Sequence, residues 1–291
     1  MKLLCTLSKI EYLDKMPGLV DGIICGSYFC DRQHYRLDEM RLIRQKTRES
    51  NLKMFALIDT MVMEEDITLL YEYMDFLKEL EVDGIYFNDL AVYQVAAELK
   101  VLHLLRYDSS TLTTNSLDSA FFIKSGVSAV TLAREITFEE MMTIAENVGG
   151  KVDAVIFGYQ KMASSKRHFL SNYFKYIDKQ QDVLDMQNIR IVETTRSYAM
   201  PILENKYGTK IYTDYIFYMY QESLELANYL EYGIIDDIFL NEDCLFHVLR
   251  DYKKMNSKNA LELENRLKAR FIKLPFSKAY LYQKTNTTKK D

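Results

Sequence analysis

A short pattern recurs along the chain and sets the fold. Val20-Asp21-Gly22-Ile23-Ile24-Cys25 returns as Val82-Asp83-Gly84-Ile85-Tyr86-Phe87. Related copies are Val127–Leu132, Val152-Asp153-Ala154-Val155-Ile156-Phe157 and Ile235-Asp236-Asp237-Ile238-Phe239-Leu240. Each joins a β-branched residue and a small polar residue to a short apolar run. Such runs, without polar alternation, read as strands buried on both faces of a parallel sheet. Leu3–Leu7, Leu52–Ile58 and Leu99–Leu105 are apolar runs without the Asp, which brings the expected strands to eight.

Helical spacing fills the intervals. Leu37–Thr47, Glu64–Leu80, Ser116–Ser125, Thr137–Val148 and Tyr215–Leu230 carry apolar residues on one side. Thr137-Phe138-Glu139-Glu140 spells a capping box. Gly126, Gly149 and Gly233 are expected to follow helix ends, where a left-handed residue is favoured. Strand and helix alternating in this way predict an α/β fold, a TIM-like (β/α)8 barrel over 1–254. A C-terminal helix and basic tail are expected over 255–291. The interval from Phe157 to Ile235 is more than twice the roughly 30 residues of a simple unit. It predicts an insertion between strands 7 and 8, about 158–213, with strands at Ile189–Thr194 and Lys210–Tyr212 and a turn at Asn205–Gly208.

Composition narrows the setting. A net charge of −5 gives no global attraction to nucleic acid. The basic run from Lys253, through Arg266 and Lys278 to Lys284, Lys289 and Lys290, reads as a solvated helix and tail or as a phosphate-contacting edge. Four cysteines without a CxxC suit free thiols in a reducing compartment. The apolar run at the start is too short for a signal peptide, and no window approaches the roughly 18 apolar residues of a span, so a cytoplasmic protein with no membrane partner is expected.

In such barrels the working residues follow the strands. The catalytic candidates are Arg134, Glu135 and Asp89. Arg134 can clamp an anion while Glu135 moves a proton, or the two can belong to an ion-pair ring that holds loops. The ligand-binding candidates are Arg32, Asp59, Asn88, Ser110, Lys161, Lys166, Arg167 and His168. Cys25, Cys30 and Cys244 with His34 or His247 would be needed for a metal, and buried thiols are the favoured reading, so no metal is expected. No HExxH, GxSxG, GxGxxG or P-loop occurs, and no nucleophile stands out.

Several segments, in order, resemble the collagenase-like peptidase U-32 family. Gly26 to Arg32, Leu37-Asp38-Glu39-Met40, Val82 to Asp89, Ser109 to Asn115 and Leu132-Ala133-Arg134-Glu135-Ile136 are similar to successive family segments. Phe157 to Ser171 resembles the family signature. Arg196-Ser197-Tyr198-Ala199-Met200-Pro201, Gly208-Thr209 and Ser277–Leu281 resemble later segments and add Arg196 to the ligand candidates. The resemblance implies a TIM-type barrel and a peptidase label, and it implies relatives that hydroxylate RNA or quinone precursors with an iron–sulfur cluster held by signature cysteines. Here those cysteine positions are Lys161 and His168, and a further one falls near Phe217, so no cluster is expected. Three functions follow: a peptidase or other hydrolase acting on a peptide or small molecule, a non-catalytic partner of a cluster-bearing homologue, or an RNA-handling protein, the last disfavoured by net charge.

Overall fold

The computed structural model describes residues 1–179 and 181–283. Seven parallel strands come first: β1 (Lys2–Thr6), β2 (Gly22–Cys25), β3 (Lys53–Ile58), β4 (Gly84–Phe87), β5 (Leu105–Tyr107), β6 (Ala129–Thr131) and β7 (Val152–Ser165). Between them run α1 (Leu37–Glu49), α2 (Ile67–Glu79), α3 (Leu90–Glu98), α4 (Ser116–Lys124) and α5 (Phe138–Asn147). The insertion adds α6 (Phe169–Tyr176), β8 (Arg190–Ile191), β9 (Met200–Asn205) and β10 (Gly208–Tyr218). The chain ends through α7 (Gln221–Leu226), β11 (Leu230–Ile235), α8 (Glu242–Lys254), α9 (Ala260–Arg270) and β12 (Phe276–Ser277). Strand β11 pairs in parallel with both β7 and β1, which closes an eight-stranded (β/α)8 barrel of the TIM type.

The sequence repeat has a physical meaning. Its polar residue ties each new strand to a neighbour. The Asp21 amide donates to the Leu3 carbonyl at 2.8 Å, and its carboxylate accepts from the Leu3 amide at 2.8 Å. Asp83 treats Met54 in the same way, at 2.8 and 2.9 Å. Ser128 gives both its amide and its hydroxyl to the Leu105 carbonyl, at 2.9 and 2.7 Å. Each side chain thus satisfies backbone that the barrel's lower rim would otherwise leave open.

Asp153 is the buried version of the same device. Its oxygens accept from Arg106 Nε and Nη2, each at 2.7 Å, from the Tyr86 hydroxyl at 2.9 Å and from the Tyr232 amide at 3.0 Å. The guanidinium lies 5.8, 5.7 and 5.0 Å from the ring centres of Phe55, Tyr86 and Tyr232. Around them Leu4, Ile24, Leu57, Val155 and Ile234 fill the barrel interior. A larger apolar layer lies between the strands and the helices.

Three expected elements fall elsewhere. Leu99–Leu105 is not a strand: Leu99 ends α3, Lys100 takes a positive φ of 60°, Leu102–Leu104 is a 3-10 turn, and β5 begins at Leu105. Its leucines pack around a helix end, which apolar content alone does not separate from a strand. The eighth strand is Leu230–Ile235 rather than Ile235–Leu240, because Asp236 and Asp237 turn their carboxylates into the mouth and Phe239 bends the chain at φ 60°. Gly233 therefore sits inside β11 and not after a helix. The helix expected over Tyr215–Leu230 shrinks to α7, because β10 runs to Tyr218 to pair with β7. The capping box at Thr137 forms, with the Thr137 amide on Glu140 Oε2 at 2.8 Å.

The C-terminal segment packs on the barrel through Leu263 and Leu267, and β12 runs parallel to β10. Its basic residues mostly meet acids: Arg266 with Glu262, Lys268 with Glu264, Arg270 with Asp243, and Lys278 with Glu222 and Glu264. Lys284, Lys289 and Lys290 lie outside the described residues.

Removing Asp153 would leave the buried Arg106 guanidinium with only Glu231, 37% exposed and 3.1 Å from Nη2. Asp153→Ala is expected to lower unfolding free energy by about 3–5 kcal/mol, read by urea denaturation. Asp21→Ala, which loses one backbone tie, is expected to cost about 1 kcal/mol. Equal losses would contradict the role given to Arg106 and Asp153.

Candidate functional site

The mouth is built by the strand that refuses to stop. At the barrel's upper edge Gly158 adopts φ 130°, and a Cβ there would stand 2.5 Å from the Asp236 carbonyl. Only glycine turns the chain at that point. Beyond it β7 pairs antiparallel with β10, which forms a hairpin with β9 through the Asn205–Gly208 turn. The insertion has its own small core of Leu170, Val183 and Ile202. Glu204, fully buried, holds it together by accepting from the Leu170 and Ser171 amides at 2.8 and 3.1 Å and from the Thr209 hydroxyl at 2.7 Å. Asn205 anchors it to the barrel through the Cys30 carbonyl and the His34 ring.

This brings a network of charges over the mouth. Lys161 Nζ, from β7, lies 2.8 Å from Asp31 Oδ2 and 3.3 Å from Asp59 Oδ2. Lys210, from β10, lies 2.7 Å from Asp31 Oδ1. Arg32 Nη1 meets Asp236 Oδ1 at 2.7 Å. The Thr6 hydroxyl bridges Asp236 and Asp237. Burial opposes the Lys161 cation, but Asp31 and Asp59 outweigh it and hold its pKa above the ordinary value. Burial likewise opposes the Asp59 anion, but Lys161 and Arg32 hold its pKa below the usual range. Asp237 has no cation against it, and burial pushes its carboxyl up to about 6 against hydrogen bonds from Ser8 and Thr6.

Beside the network a narrow cleft of about 60 Å³ remains, lined by Arg134, Gln160, Lys161, Arg196, Thr213 and Tyr280 among others. Arg134 follows β6 and its side chain is 7% exposed. Its Nη2 reaches Asp108 Oδ2 at 3.2 Å, while Nε and Nη1 are buried without an acceptor. Gln160 Nε2 is buried and unpaired too. Ser110 supports the arginine from below: it takes φ 66°, and its carbonyl accepts from the Arg134 amide at 3.1 Å. Arg196 stands at the cleft edge on Glu193 and Asp214, at 2.8 and 2.9 Å.

The sequence candidates divide accordingly. Arg32, Asp59 and Lys161 meet in the network, and Arg134, Lys161 and Arg196 meet at the cleft. Asn88 donates to the Asp59 carbonyl at 2.9 Å and keeps a buried Oδ1 unpaired. Glu135 lines the cleft but is exposed, and the acid on Arg134 is Asp108. Asp89 is a helix cap: its two oxygens accept from the Ala91 and Val62 amides, both at 2.9 Å. Lys166 lies 3.8 Å from Asp66, Arg167 is outside the cleft, and His168 faces Glu204 at 3.6 Å. Asp31, Gln160, Lys210 and Tyr280 were not singled out. The i, i+2 spacing of Lys210 and Tyr212, polar groups on one face of a strand, is the signal that marks the insertion's contribution.

The profile of Peptidase family U32 matches residues 26–231. The chain belongs to peptidase family U32. Among its relatives, "tRNA hydroxylation protein P2" of Bacillus subtilis (strain 168) is 26% identical over 209 residues, 69% of this chain and 67% of that protein. An "uncharacterized protease" of Methanocaldococcus jannaschii is 30% identical over 164 residues, 53% of this chain and 39% of that protein. A solved U32 peptidase shares the fold at TM-score 0.53 and 16% identity, over 81% of this chain and 92% of that one.

The U32 positions expected to bind a cluster do not fit one in this chain. Lys161 is locked between two carboxylates, His168 points at Glu204, and Phe217 is a buried ring opposite Gly158. Burial raises all four thiols, Cys244 to about 12, so none offers a ready thiolate. Among the described residues no three His, Cys, Asp or Glu side chains form a metal-sized group.

Asp237 gives the mouth a pH signature. Its raised pKa makes the folded state bind a proton more readily than the unfolded one, so stability is gained as pH falls through about 6. Asp59 acts oppositely, but its contribution is lost only as pH falls below the ordinary carboxylate range. Between pH 7 and pH 5 the wild type is therefore expected to gain about 1 kcal/mol more than Asp237→Asn. Urea unfolding at the two pH values checks this, and equal gains would refute it. Lys161→Met, which leaves Asp31 and Asp59 with less compensation, is expected to lose about 3–5 kcal/mol in the same assay.

Proposed function

We propose that this chain is a cluster-free U32 barrel in a tRNA-hydroxylating system, a non-catalytic partner of a homologue that carries the cluster cysteines. The observation that carries this reading is Lys161. Where the family resemblance puts a cluster cysteine, this chain puts an ammonium and surrounds it with carboxylates that keep it charged. The Bacillus relative's name supplies the process. The peptidase label finds little support in the residues, since every thiol is buried and its pKa is raised.

A surface suited to RNA lies on the insertion. Helix α6 exposes Phe169, Tyr173 and Tyr176, at 46, 57 and 85%, in i, i+4, i+7 spacing. Arg167, Lys175 and Lys179 stand exposed around them. Aromatic faces beside cations stack unpaired bases and meet phosphates, and a local patch of this kind acts despite a negative total charge.

Deletion of the gene is expected to remove a hydroxylated nucleoside from digested total tRNA, read by mass spectrometry. The wild-type gene should restore it, and Tyr173→Ala with Tyr176→Ala should not. Protein purified without oxygen should carry no iron and should leave casein intact. An unchanged nucleoside profile, or casein cleavage abolished by a rim substitution, would sink this reading.

A further inference from the structure

We infer that the cleft beside Arg134 binds a small oxyanion, a carboxylate or phosphate group held by the Arg134 guanidinium and the Gln160 side-chain amide. The Arg134 side chain is more than nine-tenths buried, and Asp108 uses only Nη2. Its Nε and Nη1 carry buried N–H groups with no acceptor, and Gln160 Nε2 is in the same condition in the same wall. Buried donors are almost always paired, and a desolvated cation more so. A planar guanidinium with open nitrogens matches the oxygens of a carboxylate or phosphate.

The surroundings favour an anion over a neutral group. The lining contains three cations, Arg134, Lys161 and Arg196, and one acid, Glu135, which is exposed at the rim. The volume, about 60 Å³, is the share of roughly two waters and admits the charged end of a ligand rather than its body. Lys161 and Arg196 are already committed to carboxylates, so Arg134 and Gln160 supply the contacts. An oxyanion here needs neither RNA nor the aromatic face of α6 and rests on the cleft alone.

The probes are sodium acetate and sodium phosphate, compared with sodium chloride at equal ionic strength, by thermal unfolding and calorimetric titration of the full chain. One of the two oxyanions is expected to raise Tm beyond chloride and to bind saturably, and the one that does so names the group. Arg134→Gln should abolish binding. Gln160→Met, which keeps the length and removes the donor, should weaken it about tenfold. Arg266→Gln, exposed on α9, should leave it unchanged. If Arg134→Gln does not fold, Gln160→Met carries the test. A response no greater than chloride's, meaning water alone in the cleft, overturns the inference. So does unchanged affinity in either cleft variant. Loss of the tRNA nucleoside without oxyanion binding would remove this site and keep the proposed function, and binding without a tRNA defect would do the reverse.

Discussion

The bidentate pair between Arg106 and Asp153 is the contact on which the barrel depends. Four donors converge on one buried carboxylate, and they come from β4, β5 and β11, while the acid belongs to β7. A buried charge is tolerated only when its partners are all in place, so the pair admits one relative placement of these strands. The aromatic rings of Phe55, Tyr86 and Tyr232 enclose the guanidinium and keep water out. An apolar filling would occupy the same volume without specifying which strands meet. Above this knot the interior is ordinary aliphatic packing, which tells the strands to be buried but not in what order.

The upper end of the barrel is closed by different means. A barrel's carboxyl end is normally open, because loops there vary while strands do not. Here β7 overruns the barrel by eight residues, Gly158 to Ser165, and brings a hairpin back across the mouth. The cost of burying Lys161, Lys210 and Arg32 is offset by Asp31, Asp59 and Asp236 at close range. Such a network ties β7 and β10 to the chain just beyond β2, β3 and β11. Unmatched buried donors remain at Arg32 Nε within the network and, in greater number, at Arg134 and Gln160 beside it.

Family membership and residue chemistry carry different information in this molecule. The U32 match extends over most of the barrel and fixes the scaffold. The residues at the mouth decide what the scaffold can do, and where the family resemblance leads one to expect a cysteine this chain holds a paired ammonium, Lys161. A lysine that holds two carboxylates cannot also be a cluster ligand.

The barrel was legible because burial on both faces leaves uninterrupted apolar runs, and the Asp or Ser before them marks where each strand is tied. The Asn205–Gly208 turn and the Thr137 cap were legible for the same local reason. Leu99–Leu105, Ile235–Leu240 and Tyr215–Leu230 misled because apolar content does not say whether a segment turns under the barrel, into its mouth or along its wall. Arg134, Lys161 and Arg196 could be named as rim residues from their place after strands. Their partners could not, since Lys161 finds Asp31 across 130 residues and Arg32 finds Asp236 across 204. The sequence by itself determined the barrel, because periodicity and local ties are properties of neighbouring residues. Only the tertiary structure decided that Lys161 is neutralised while Arg134 keeps two open donors, because pairing at the mouth depends on where the insertion folds back, a long-range constraint that no local pattern encodes.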